Sequence, residues 1–225
     1  MKSLVVVLTL LMSFAAYSAI PTLGDVLGNS YTETDTGDES FYLTDTSGLV
    51  DDATAFLMFE YAGYADYNSF GIYSGGTSME IFNGSDSPTI AATLSWDILT
   101  NEVSLVGSAV SAFIDDTNFG FYIDAGPDGD RFFSEASLNP DGEDMMASYD
   151  VGAVGHPDLF GSNIVLAWED VLLSNGGDGD YNDMVVGISD ISGNEGTTSS
   201  VPEPGIPLLL SLGLLGIGLT RTFST

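Results

Sequence analysis

The chain of 225 residues contains no cysteine, one histidine and three basic residues against 33 acidic ones. Without cysteine it has no disulfides, so its stability rests on a core or on bound ions. Zinc prefers imidazole and thiolate ligands, and a single imidazole, His156, offers little of either. The lack of positive charge goes further. Lys2 and Arg221 lie near the two ends, and Arg131 is the only lysine or arginine between them, whereas every acidic residue falls between Ile20 and Pro204. A nucleic-acid partner is not expected, because phosphate contacts need a basic face. An anionic membrane surface repels such a chain too.

Helical periodicity is also missing from the middle of the chain. Short aromatic and β-branched stretches recur instead, most of them bounded by Gly, Asn, Asp or Pro, at 41–44, 55–61, 69–74, 79–82, 90–96, 102–106, 119–123, 163–168 and 183–188. They predict an all-β fold over 19–190: a single antiparallel β-sandwich, jelly-roll-like, with a helix at most in a connection. NSFGIY (68–73) and TNFGFY (117–122) look alike, through either two similar hairpins or chance.

The ends read differently. Residues 1–18, MKSLVVVLTLLMSFAAYS, carry Lys2, an apolar run and a small-x-small end, the pattern of a secretory signal peptide, here expected as a helix. A polar linker, ISGNEGTTSS, is expected over 191–200. From Val201 the chain reads VPEPGIPLLLSLGLLGIGLTRTFST, with an apolar stretch at 206–220. As a helix that stretch falls short of the roughly 30 Å hydrocarbon core, so it is a marginal transmembrane span.

This tail resembles the PEP-CTERM sorting signal: a Pro202-Glu203-Pro204 tripeptide, a Gly/Leu-rich short span and a basic end, here Arg221 alone. The resemblance implies an exported protein, held transiently in the inner membrane. An exosortase then processes it for the cell surface or extracellular matrix of an exopolysaccharide-producing Gram-negative bacterium.

The acids cluster in turns: DAGPDGD (124–130), NPDGED (139–144), WED (168–170) and GGDGDYND (176–183). Such residues favour turns for backbone reasons and commonly face water. The last cluster is denser. Two carboxylates about 4 Å apart repel by about 4 kcal/mol near a protein surface, and no lysine or arginine is near to relieve them. Asp178, Asp180 and Asn182 place oxygens at i, i+2 and i+4, the start of a calcium-loop pattern. An EF-hand is excluded: Asp183 stands where its glycine belongs, Ser189 replaces its bidentate glutamate, and a strand follows. A hard, oxygen-seeking ion such as Ca²⁺ suits this composition better than zinc. The candidate ligands are Asp178, Asp180 and Asp183, extended by Asp170 and Glu169; Asn182 either ligates or shapes the turn. Asp124, Asp128 and Asp130 form a second candidate set, and Asp141, Glu143 and Asp144 a third acidic turn.

The runs NFGFYIDAGPDGDRFFSEASLNPDGEDMMASY and IVLAWEDVLLSNGGDGDYNDMVVGI resemble the domain of unknown function 4114. Its hallmark is an aromatic-Glu-Asp, a glycine-rich gap and Asp-x-Asp-aromatic-Asn-Asp, matched here by Trp168, Glu169, Asp170, Gly176, Gly177, Asp178, Asp180, Tyr181, Asn182 and Asp183. Asp144-Met145 departs from the Asp-His common upstream in that family. The resemblance implies a secreted, calcium-dependent β-domain and no particular activity. The expectation is a structural or adhesive protein of the exopolysaccharide or biofilm matrix, not an enzyme. The alternative is a calcium-assisted carbohydrate-binding module. More remote is a polysaccharide hydrolase: Tyr64, Tyr67, Trp96 and Trp168 are aromatics suited to sugar stacking, but no carboxylate pair or nucleophile motif stands out beside His156.

Overall fold

The computed structural model describes Thr34, Gly37 and residues 39–60, 62–126, 129–152 and 159–194. The predicted signal helix at 1–18 lies outside the described residues, as do the membrane span and the Pro202-Glu203-Pro204 tripeptide, Asp128 and His156. Among the described residues no helix is long and apolar enough to cross a membrane.

The described chain is all-β and antiparallel. Its first strands are β1 (Ser40–Leu43), β2 (Val50–Phe59), β3 (Ser69–Ser74), β4 (Thr77–Phe82), β5 (Ala91–Asp97), β6 (Glu102–Leu105) and β7 (Ser111–Phe113). There follow β8 (Gly120–Ala125), β9 (Asp130–Phe133), β10 (Met146–Asp150), β11 (Ile164–Trp168), β12 (Met184–Ile188) and β13 (Ile191–Asn194). One sheet has seven strands in the order β10-β11-β12-β2-β5-β6-β7, another has four in the order β4-β3-β8-β9, and β1 pairs with β13. The first four residues of the expected linker are thus a strand, because Ile191 is buried and the backbone of 191–194 pairs with β1.

Alternation along the strands decides what is buried. Ala53, Ala55 and Leu57 of β2 enter one core with Leu94 and Trp96 of β5, Leu166 and Trp168 of β11, and Val186 of β12. Phe70 and Ile72 of β3 and Phe121 and Ile123 of β8 enter the same core from the four-stranded sheet. The architecture is therefore β-sandwich-like, with aromatic contacts bridging the layers. The ring centroids of Phe70 and Trp168 lie 6.3 Å apart, and those of Trp96 and Phe119 5.6 Å. Each such buried side chain contributes about 1.5–3 kcal/mol through removal from water. Both tryptophans are fully buried, so they are core residues and not sugar platforms. Strands β11 and β12 are apolar throughout because their outer faces are covered too: Val165, Ala167 and Val185 pack with Ala147 and Leu159 in a second cluster.

The similarity of NSFGIY and TNFGFY has a packing cause. Strands β3 and β8 are neighbours with Gly71 opposite Tyr122 and Tyr73 opposite Gly120. Each tyrosine ring occupies the space that a Cβ on the opposite glycine would fill. The hairpins β3–β4 and β8–β9 thereby sit side by side, locked by the same Gly–Tyr exchange.

Candidate metal centre

Strands β11 and β12 form a hairpin, Trp168 opposite Met184, and the acidic loop is its connection. After Trp168 the chain makes a 3-10 turn at Leu173–Asn175, and Gly176 (φ 106°) and Gly179 (φ 71°) take left-handed conformations that favour glycine. Gly177 packs so closely on the Val171 carbonyl that a Cβ would collide with it, and that Cβ would stand 3.2 Å from Glu169 Oε2. The glycines curl the loop back over Glu169.

Glu169, Asp178 and Asp180 each present a carboxylate oxygen, all within 4.8 Å of one another. Glu169 is wholly buried, Asp180 half-buried and Asp178 exposed, so the group opens outward from a sealed base. Glu169 Oε1 accepts the Tyr181 backbone N–H at 2.6 Å. Its Oε2 is buried and has no hydrogen-bond partner. Burial pushes the Glu169 carboxyl above its usual range, the neighbouring Asp178 and Asp180 charges add to this, and the Tyr181 and Gly179 amides oppose it. Asp180 is raised in the same way, by burial first and then by Asp178. A cation placed among the three would oppose these upward shifts.

Asn182 shapes the loop. Its side-chain amide donates to Asp180 Oδ2 at 2.7 Å and its backbone N–H to Oδ1 at 3.3 Å. Asp170 and Asp183 form a second pair behind the first group. Asp183 Oδ2 accepts the Asp170 backbone N–H at 2.9 Å, and Asp170 Oδ2 accepts the Asn68 amide at 3.0 Å. All the candidate carboxylates except Asp180 line one cleft of about 160 Å³ with Val171, Gly176 and Gly177. Burial, followed by the charges of Asp170 and Glu169, pushes Asp183 up to about 7 against the pull of the Asp170 amide.

Sequence reasoning missed Glu60, just past β2, whose Oε1 is buried without a partner. Burial and the charges of Asp170, Asp66 and Asp183 push it up to about 8. The residues beside it in sequence do not signal this, since the burial depends on the fold and two of the three charges, Asp170 and Asp183, come from a loop over a hundred positions away.

The second candidate set does not assemble among the described residues. Both oxygens of Asp124 accept from Arg131, at 2.6 and 2.7 Å. The same guanidinium lies 3.8 Å from the Tyr122 ring centre and donates to Ser78. The one arginine in the acidic region therefore clamps the four-stranded sheet, and Asp124 already has its cation. Asp130 opens β9 as an exposed residue. In the third turn Glu143 accepts the Ser174 N–H at 3.1 Å, tethering the acidic loop to the segment before β10.

No curated protein and no solved structure matches this chain. Residues 106–190, from just past β6 to the turn before β13, match the family described as Domain of unknown function (DUF4114), and that stretch contains the whole acidic loop.

Proposed function

We propose that the domain is rigidified by a calcium ion held by Glu169, Asp178 and Asp180, and that it serves a structural or adhesive role in an exopolysaccharide or biofilm matrix. The observation that carries the reading is Glu169: a fully buried carboxylate with one unpartnered oxygen, facing two more carboxylates and, among the described residues, no basic side chain. A buried charge of this kind is costly unless something compensates it. The donors are all oxygens, which suits a hard cation, and water completes the six to eight ligands that calcium takes. Asp170 and Asp183 support the loop from behind, and Asn182 fixes Asp180.

The likeness of the two ends to a secretory signal and to the PEP-CTERM tail supports export, transient membrane anchoring and processing by an exosortase. A β-sandwich-like domain whose acidic loop gathers oxygen donors suits a scaffold.

The test is thermal unfolding with millimolar calcium and with chelator. An ion that binds only the folded state at a hundred times its Kd stabilises by about 2.7 kcal/mol, and at about 2–4 °C per kcal/mol this raises Tm by roughly 5–10 °C. Asp180→Ala is expected to remove most of that rise. Equal midpoints with calcium and chelator would leave the carboxylates as solvated turns.

A further inference from the structure

A second cleft, of about 120 Å³, lies against the acidic loop and shares only Asp170 and Val171 with the first cleft. Tyr64, Asp130, Asn175 and Asp170 stand around it, and Ala125, Phe132 and Leu172 give it an apolar floor. Tyr64 is 45% exposed and outside the core, yet its place is fixed. Its carbonyl accepts the N–H groups of Tyr67 at 2.7 Å and Asn68 at 3.1 Å, and its ring packs against Gly126. Asn68, fully buried, ties the two walls together. It donates to Asp170 Oδ2 at 3.0 Å and accepts the Gly126 N–H at 2.9 Å. The cleft is thus built before any ligand arrives, which lowers the ordering cost of binding.

Its chemistry selects a ligand. An exposed tyrosine ring suits the C–H face of a sugar or a cation. Asp130 and Asp170 accept from hydroxyl or ammonium groups, Asn175 both donates and accepts, and among the described residues no basic side chain lines the walls. Anionic sugars are repelled, and neutral ones leave the carboxylates uncompensated. Polar groups on more than one wall suit a flat, many-hydroxylated ring better than the single terminal charge of a lysine. At about 120 Å³ the cleft takes part of one sugar ring while the chain continues over the surface.

We propose that this cleft is a subsite for an amino-sugar polysaccharide, with the sugar face on Tyr64 and its ammonium between Asp130 and Asp170. It stands apart from the proposed calcium group, and the two are tested separately. Calorimetric titration of the full chain in saturating calcium uses a β-1,4-glucosamine pentamer, its fully N-acetylated form, a glucose pentamer and pentalysine. The glucosamine pentamer is expected to bind at least tenfold more tightly than the other three. Tyr64→Ala and Asp130→Asn should each weaken it about tenfold while leaving the calcium-induced rise in Tm intact, and Tyr64→Phe should retain binding. Absence of binding, equal binding of the uncharged pentamers, insensitivity to both weakening variants, or pentalysine binding as tightly would each overturn the assignment, the last in favour of a basic peptide. A preserved calcium response without sugar binding sinks the cleft alone, and sugar binding without a calcium response sinks the ion alone.

Discussion

Glu169 follows the last residue of β11, is wholly buried and accepts the Tyr181 N–H, so its charge must be met where it stands. Glu169→Gln keeps the shape and the acceptor for the Tyr181 N–H while removing the charge. In chelator the variant is expected to be as stable as the parent or about 1 kcal/mol more stable, because a buried unpaired charge and its repulsion with Asp178 and Asp180 are gone. In calcium it should show little rise in Tm. Chemical denaturation in both conditions checks this, and a full calcium response in the glutamine variant would remove Glu169 from the ligand set. The alternating Asp178, Asp180 and Asn182 were readable from spacing, as was the absence of a local cation. The ranking within the set was not. Asp183 stood among the leading candidates, yet its Oδ2 holds the Asp170 amide, whereas Glu169 stood last and is the most deeply placed. Which way a side chain turns in a tight loop depends on the left-handed glycines and on Asn68, an amide from the other sheet.

The paired glycines of β3 and β8 set the spacing of two hairpins. Gly71→Ala places a methyl group against the Tyr122 ring and the Met79 carbonyl, and Tyr122 is itself held beneath Arg131. Overpacking of this kind costs about 1–3 kcal/mol, so the midpoint of urea unfolding should fall with little change in slope. A midpoint unchanged by Gly71→Ala would show that the rings move aside freely. Strands with β-branched or aromatic alternation, such as β3, β8, β11 and β12, were plain in the sequence. Four were not. Strand β7 is three residues long, β9 opens with Asp130 and Arg131, β10 begins with Met146 and Ala147, and β13 carries Gly193 and Asn194. Each is short or mixes strand formers with residues of weak strand propensity, and tertiary pairing decides its state. Strand β2 also begins five residues earlier than its apolar run, because Asp51 and Asp52 pair along β5 through their backbones.

The charge imbalance acts on the molecule as a whole. Glu60 and Asp183 have folded-state values pushed up to about 8 and about 7, above those of an unfolded chain. Between those limits the folded protein binds more protons than the unfolded one, so metal-free stability is full at low pH and lost as pH rises through 7 and 8. Without calcium, Tm is expected to be higher at pH 5.5 than at pH 8, and calcium should flatten or invert the trend by favouring the ionised loop. A metal-free Tm that rises over this interval would contradict the burial assigned to these groups. Self-repulsion also acts over the whole surface and is screened by salt. Added monovalent salt should therefore raise the metal-free midpoint more than the calcium-loaded one.

Diffraction from crystals grown in abundant calcium, with the anomalous signal recorded, tests the calcium assignment most directly. The expected result is a peak bounded by Glu169, Asp178 and Asp180, with oxygens at about 2.3–2.6 Å. Those three side chains turned apart, with water alone between them and no anomalous peak, would contradict it.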